Sequence, residues 1–197
     1  MTYDNVLSWR ALSDLALLFR RLNDNKGAAD MTRRATALHA AILARTVNPA
    51  APGATGSIFA SATDGTHFVE TDIPPGSLMK LPALGFIAEN DPLFTRTYDW
   101  LHSSNYKYSY ADKRYGLPGS YRLEFTTAWM IADELRLQRA HDRAQAILLA
   151  SPWDAGIVSE GVDPDTAQMD FAGRAFATAA GYVAHAICQM ACLKAKH

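Results

Sequence analysis

Residues 151–166, SPWDAGIVSEGVDPDT, gather four carboxylates (Asp154, Glu160, Asp163 and Asp165) beside one large aromatic side chain, Trp153. Carboxylate pairs cleave glycosidic bonds, one as acid and one as base, and sugars stack on aromatic faces. The segment therefore has the residue types to grip and hydrolyse a sugar. It also has the composition of a turn-rich connection, because Asp-Pro, Asp and Gly are ordinary turn residues. A second polar and aromatic stretch, residues 103–121, carries Asn105, Tyr106, Tyr108, Tyr110 and Tyr115, with Tyr98 and Tyr121 at its edges. It reads either as a binding surface or as a loop packing its rings locally.

Other chemistries lack their signatures. His67, His102, His141 and His185 form no cluster with metal-ligand spacing. There is no G-x-S-x-G, no P-loop and no dinucleotide fingerprint, so no cofactor is expected. Cys188 and Cys192 are four residues apart on one helical face, where a disulfide would be strained, and they read as core thiols in a reducing compartment. The chain has 197 residues, 49% hydrophobic and 20% charged, with a net charge of −1. Such a balance offers no electrostatic case for nucleic acid or an anionic membrane. The apolar run 175–192 is interrupted by Thr178, His185 and Gln189, which argues against a membrane span. The first residues lack a basic-then-apolar leader, and a cytoplasmic protein is expected.

The elements that must position these loops read as helices. Val6, Trp9, Leu12, Leu15, Ala16, Phe19 and Leu22 recur at spacings of three and four. NDNKG at 23–27 breaks the pattern, and a second helix carries Met31, Ala35, Leu38 and Ile42 before NPAAPG at 48–53. The short connection predicts an antiparallel αα-hairpin. Residues 57–60 and 67–70 flank an Asp64-Gly65 turn and predict a small β-hairpin. Further helices are expected over 78–88, from Asp91-Pro92 to His102, over 123–135, over 139–150 and over 171–194. The last, dense in Ala and Gly, is expected to be deeply buried. The fold class is all-α: helical hairpins with one small β-hairpin.

Five segments in order resemble the metal-independent α-mannosidases of glycoside hydrolase family 125: YDNVLSWRAL at 3–12, DIPPGSLMKLPALG at 72–85, DPLFTRTYDWLHSS at 91–104, GIVSEGVDPD at 156–165 and GRAFATAAG at 173–181. More broadly the chain resembles the six-hairpin glycosidases, whose (α/α)6 toroid carries the site at one end. The resemblance implies an exo-acting, inverting, metal-independent hydrolase of α-mannosides. It also implies that residues 1–197 are a single domain, the C-terminal portion of the toroid. About seven helical segments stand where a closed toroid has twelve, so the toroid is expected to be incomplete and to expose apolar stripes such as the Leu12, Leu15 and Phe19 face. Self-association is the expected consequence.

By the same resemblance the general base lies in VSEG at 158–161 and is Glu160, preceded by Ser159 where the family commonly has histidine. Gly161 would let the backbone turn close to a ligand. Asp72 corresponds to the family segment that helps shape the sugar pocket; its other role would be to cap the loop before Pro74-Pro75. Trp153, Tyr108 and Tyr110 are candidate sugar platforms. Arg174 is either a substrate contact or the ion-pair partner of Asp170, four residues earlier. The general acid has no clear counterpart, Asp4 being the nearest carboxylate to the family's position. A non-catalytic helical domain that binds carbohydrate without the acid is the alternative, and a glucoamylase-like enzyme of the same architecture a third.

Overall fold

The computed structural model describes residues 1–72, 77–119, 125–137, 139–153, 155–169 and 175–194, with side chains in the last stretch as far as 191. Asp154, Asp170 and Arg174 lie outside the described residues. Two compact units divide the chain: Met1–Glu70 with Lys80–Thr97, and Thr71–Met79 with Tyr98–His197. Among the described residues there are six α-helices and three two-stranded antiparallel sheets.

In the first unit α1 (Thr2–Arg21) and α2 (Asn25–Thr46) form the expected hairpin. The break is shorter than NDNKG suggests. Asp24 caps α2 by accepting from the Gly27 N–H at 2.8 Å, which brings Asn25 to Gly27 into the first helical turn. Val6 and Ala16 of α1 are buried, with Ala28, Ala35 and Ile42 of α2. Leu12 and Phe19 are half-buried and Leu15 is exposed. With Leu15, the leucines Leu7, Leu18 and Leu22 are 40–65% exposed. At about 100° per residue this stripe lies on the helix side opposite Val6 and Ala16.

The β-hairpin keeps its Asp64-Gly65 turn but not its first strand. β3 (Ala62–Thr63) pairs with β4 (Phe68–Val69), while β2 (Ile58–Phe59) pairs with β1 (Val47–Asn48) at the end of α2. The turn selects the nearer partner: Asp64 Oδ1 accepts from the Thr66 and His67 N–H groups, closing a loop too tight to reach residue 59. The helix expected over 78–88 is only a 3-10 turn, Leu78–Lys80. Pro82 has no N–H to continue it, and Gly85 turns the chain at φ 73°.

In the second unit the C-terminal part of α3 (Pro92–Leu101) leads into the irregular aromatic stretch. The helix expected from 123 begins later. Thr126–Thr127 is strand β5, and the Thr127 hydroxyl caps α4 (Ala128–Arg136) by accepting from the Met130 N–H. Eight residues of α4, Ala128 through Leu135, are buried, so this helix is the axis of the unit. It packs against α5 (His141–Ala150) and α6 (Ala177–Lys194). The expectation of a deeply buried last helix is overturned. In α6 Ala179, Val183 and Ala186 form a buried stripe, while Ala177, Gly181, Ala184 and Ile187 are exposed. Small residues permit close approach, and among the described residues α4 is the helix that takes up that option. Cys188 is likewise exposed, not a core thiol. No described helix is long and apolar enough to cross a membrane.

Candidate active site

The acidic loop is organised by its own side chains. Asp163 Oδ1 accepts from the Asp165 N–H, the Thr166 N–H and the Thr166 hydroxyl, and the main chain closes the turn with Asp163 N–H to Gln168 O at 2.8 Å. The Thr166 hydroxyl first, and the Thr166 and Asp165 N–H groups with it, hold the Asp163 carboxyl below the usual carboxylate range. Asp165 pairs with Lys113 at 3.4 Å. Two of the four carboxylates are therefore occupied in shaping and anchoring the loop. Glu160 differs: it is half-buried, and among the described residues its carboxylate makes no hydrogen bond or ion pair.

Its main chain is fixed. β6 (Gly161–Val162) pairs with β5, Gly161 opposite Thr127 and Val162 opposite Thr126, and the Glu160 carbonyl accepts from the Ala128 N–H at 2.8 Å. Glu160 is thus held at the first turn of the buried helix α4. Ser159 is buried and its hydroxyl donates to Gly161 O at 2.6 Å, tightening the same bend. Gly161 is needed for packing, not for an unusual backbone angle: a Cβ there would lie 1.9 Å from one Phe125 ring carbon and 2.8 Å from the Thr126 carbonyl. The ribbon is tied in turn to the aromatic stretch. Thr126 Oγ1 donates to Tyr115 O and accepts from the Leu117 N–H, and the Tyr115 N–H donates to Pro164 O at 2.7 Å.

Asp72, Tyr108 and Tyr110 gather around Tyr106. The Tyr106 hydroxyl accepts from the Asp72 N–H at 3.2 Å and donates to Gly119 O at 2.7 Å. Burial first, then the Asp72 charge, push the Tyr106 phenol well above its ordinary pKa, so it stays a donor. The Tyr108 ring stands edge-on to Tyr106 at 5.8 Å, and the Tyr110 ring fills the space where a Gly119 side chain would go. Asp72 is fully buried, its carboxylate accepting from the Ser77 hydroxyl at 2.7 Å and the Leu78 N–H at 2.9 Å. Trp153 is half-buried, and its indole N–H donates to Leu148 O.

A buried cluster was not singled out from the sequence. Glu134 is fully buried: the Tyr98 hydroxyl donates to its Oε2 at 3.1 Å, and His102 Nε2 lies 2.9 Å from its Oε1 in an oblique approach. His102 Nδ1 faces the Tyr98 carbonyl at 2.9 Å and must donate to it. Burial and the Glu134 charge push the Tyr98 phenol up. Next along α4, Asp133 is also buried and binds Arg136 and the Tyr182 hydroxyl, linking α4 to α6. The signal was present: Asp133-Glu134 interrupts the apolar run 128–135, and Tyr98 and His102 share a helix face at i and i+4. Asp4 is exposed in the first turn of α1. Among the described residues no three His, Cys, Asp or Glu side chains converge as metal ligands.

Comparison with known proteins points one way. The profile of the metal-independent α-mannosidases, glycoside hydrolase family 125, matches residues 1–188. A Streptococcus pneumoniae structure from work on metal-independent α-mannosidases, solved as a non-productive complex with α-1,6-mannobiose, is 18% identical with a TM-score of 0.77. The match covers 95% of this chain and 46% of that one, so the present chain spans less than half the length of that relative. At that identity the likeness carries the fold, and the helical hairpins described above correspond to part of a six-hairpin glycosidase architecture. No curated protein matches the chain.

Proposed function

Because the chain belongs to the metal-independent α-mannosidase family, glycoside hydrolase family 125, we propose that it is the base-bearing, C-terminal portion of an (α/α)6 catalytic domain that removes α-mannosyl residues from chain ends with inversion. The observation that supports this most directly is Glu160. It is the one described carboxylate of the acidic loop not engaged in holding that loop together, and its backbone is pinned to the N-terminus of α4.

In this reading the Glu160 carboxylate takes a proton from water as the water oxygen attacks the anomeric carbon. A second carboxyl on the opposite face protonates the departing glycosidic oxygen as the C–O bond breaks, about 6.5–9.5 Å from the first. Trp153, Tyr108 and Tyr110 offer ring surface to sugar, with Arg174 as a further contact. Asp72 acts by fixing the 77–80 turn that shapes the pocket wall. The exposed Leu7, Leu15, Leu18 and Leu22 stripe is where the chain self-associates.

A second reading, binding without hydrolysis, is favoured by the state of the other buried carboxylates. Asp72 is held by Ser77 and Leu78, and Asp133 and Glu134 each bind an internal tyrosine hydroxyl through one oxygen. Hydrolysis of an aryl α-mannoside and of α-1,6-mannobiose by wild type and Glu160→Gln decides between the two. Catalysis predicts turnover that falls about 10²–10⁴-fold in the variant. Turnover that survives Glu160→Gln would sink the assignment of the base, and sugar binding without turnover in either protein would sink hydrolysis by this chain alone.

A further inference from the structure

We propose that the cleft between α1 and α2 is a second ligand site, built for a hydroxylated anion: a sugar phosphate or a sugar acid. The cleft is an open groove of about 460 Å³ lined by Trp9, Ser13, Arg20, Thr32, Thr36 and His39 among others, none of them acidic. It is formed by these two helices of one unit and shares no residue with the candidate active site.

The polar groups of the cleft are sorted by role. The Ser13 hydroxyl donates to Trp9 O, the Thr32 hydroxyl to Ala28 O and the Thr36 hydroxyl to Thr32 O, each to the carbonyl four residues back. Their protons are spent within the helices, so the hydroxyl oxygens face the cleft as acceptors. Acceptors in a row suit a ligand that brings its own O–H donors, as a sugar does. The guanidinium of Arg20 uses Nη2 on Thr32 Oγ1 at 3.1 Å, and among the described residues its remaining N–H groups donate to no partner. With no carboxylate in the lining, that fork is available to an anion.

Trp9 supplies the apolar wall. Its ring is braced edge-on by Phe86 at 5.3 Å and tilted against His39 at 5.6 Å, and His39 is itself anchored by Nε2–H donation to Phe86 O. A braced indole is a rigid surface for the C–H face of a pyranose. One cation, several acceptors and one aromatic wall therefore specify a ring with hydroxyls and a negative charge. Neither a neutral sugar nor a bare phosphate uses all three.

Calorimetric titration of the full chain with mannose 6-phosphate, glucuronate, mannose and inorganic phosphate tests this. At least one of the first two is expected to bind about tenfold more tightly than mannose and than phosphate, and which one does so separates a phosphate from a carboxylate ligand. Arg20→Gln should weaken that binding about tenfold. Thr36→Val, which keeps the shape and removes the acceptor, should weaken it about fivefold and leave inorganic phosphate unaffected. Helical circular dichroism equal to wild type separates lost binding from lost fold, and Ser13→Ala is a second acceptor variant should Thr36→Val fail to fold. Phosphate binding as tightly as the sugar phosphate, mannose binding as tightly as either anion, or no heat with any of the four would overturn the proposal.

Discussion

Gly161→Ala tests the ribbon that holds Glu160. The added methyl carbon would stand 1.9 and 2.2 Å from two ring carbons of Phe125 and 2.8 Å from the Thr126 carbonyl. Ordinary contact begins near 3.4 Å, so the ring must retreat by about 1.5 Å, or β6 must part from β5. Phe125 is 8% exposed and has little room to retreat, and the Thr126 carbonyl is main chain. Overpacking of this kind costs about 1–3 kcal/mol, and a clash with backbone as well as ring belongs at the upper end, about 3 kcal/mol. With a urea dependence of about 2 kcal/mol per molar, the unfolding midpoint should fall by about 1.5 M. Adding Phe125→Ala to Gly161→Ala should return part of that loss relative to the two single changes, because the ring that clashes is gone. A midpoint within about 0.2 M of wild type would refute the reasoning, as would strictly additive losses in the double variant.

Three further outcomes follow from contacts described above. Tyr106→Phe strips a buried partner from both the Gly119 carbonyl and the Asp72 N–H, and should cost about 2–3 kcal/mol in urea unfolding; a loss under about 0.5 kcal/mol would mean that other groups satisfy both. Asp64 is held down to about 2, from 3.8, first by the His67 N–H and then by the Thr66 N–H and the His67 ring. The folded value lies below the unfolded one, so its contribution to stability is present above about pH 4 and fades as pH falls toward 2. Carbon-detected NMR of the Asp64 carboxyl should give a midpoint near 2, and one near 3.8 would remove the turn's hold on it. Light scattering should show association that Leu15→Glu with Leu18→Glu abolishes, whereas a monomer at high concentration in both proteins would sink self-association through α1.

The helices legible in the sequence were those with a strong period and a clear stop. Spacings of three and four placed α1 and α2, and Asp91-Pro92 placed the start of α3. Strands of two residues carry no period, so only the Asp64-Gly65 turn identified the hairpin, and the partner strand was misplaced. The 78–88 segment is apolar enough for a helix, but Pro82 and Gly85 outweigh that. Exposure was the least legible property. The small residues of α6 read as core, and the exposed stripe of α1 reads as Leu12, Leu15 and Phe19 where only Leu15 of the three is exposed, because burial depends on which elements lie opposite, and sequence spacing does not reveal that. In the loop, the carboxylates themselves were legible. Which of them are consumed by the turn depends on Thr166 and Lys113, one in the loop and one far along the chain.

The bond from the Ala128 N–H to the Glu160 carbonyl has a consequence for motion. Loops usually belong to the part of a protein that opens first, exchanging their amide hydrogens quickly. Here the loop residue carrying the unengaged carboxylate is stitched to the opening turn of the most deeply buried helix of its unit. Its main chain cannot be released while that turn stays closed. The amide of Ala128 should therefore exchange with the slow core of α4, and whatever loosens Glu160 must first loosen the helix it is tied to.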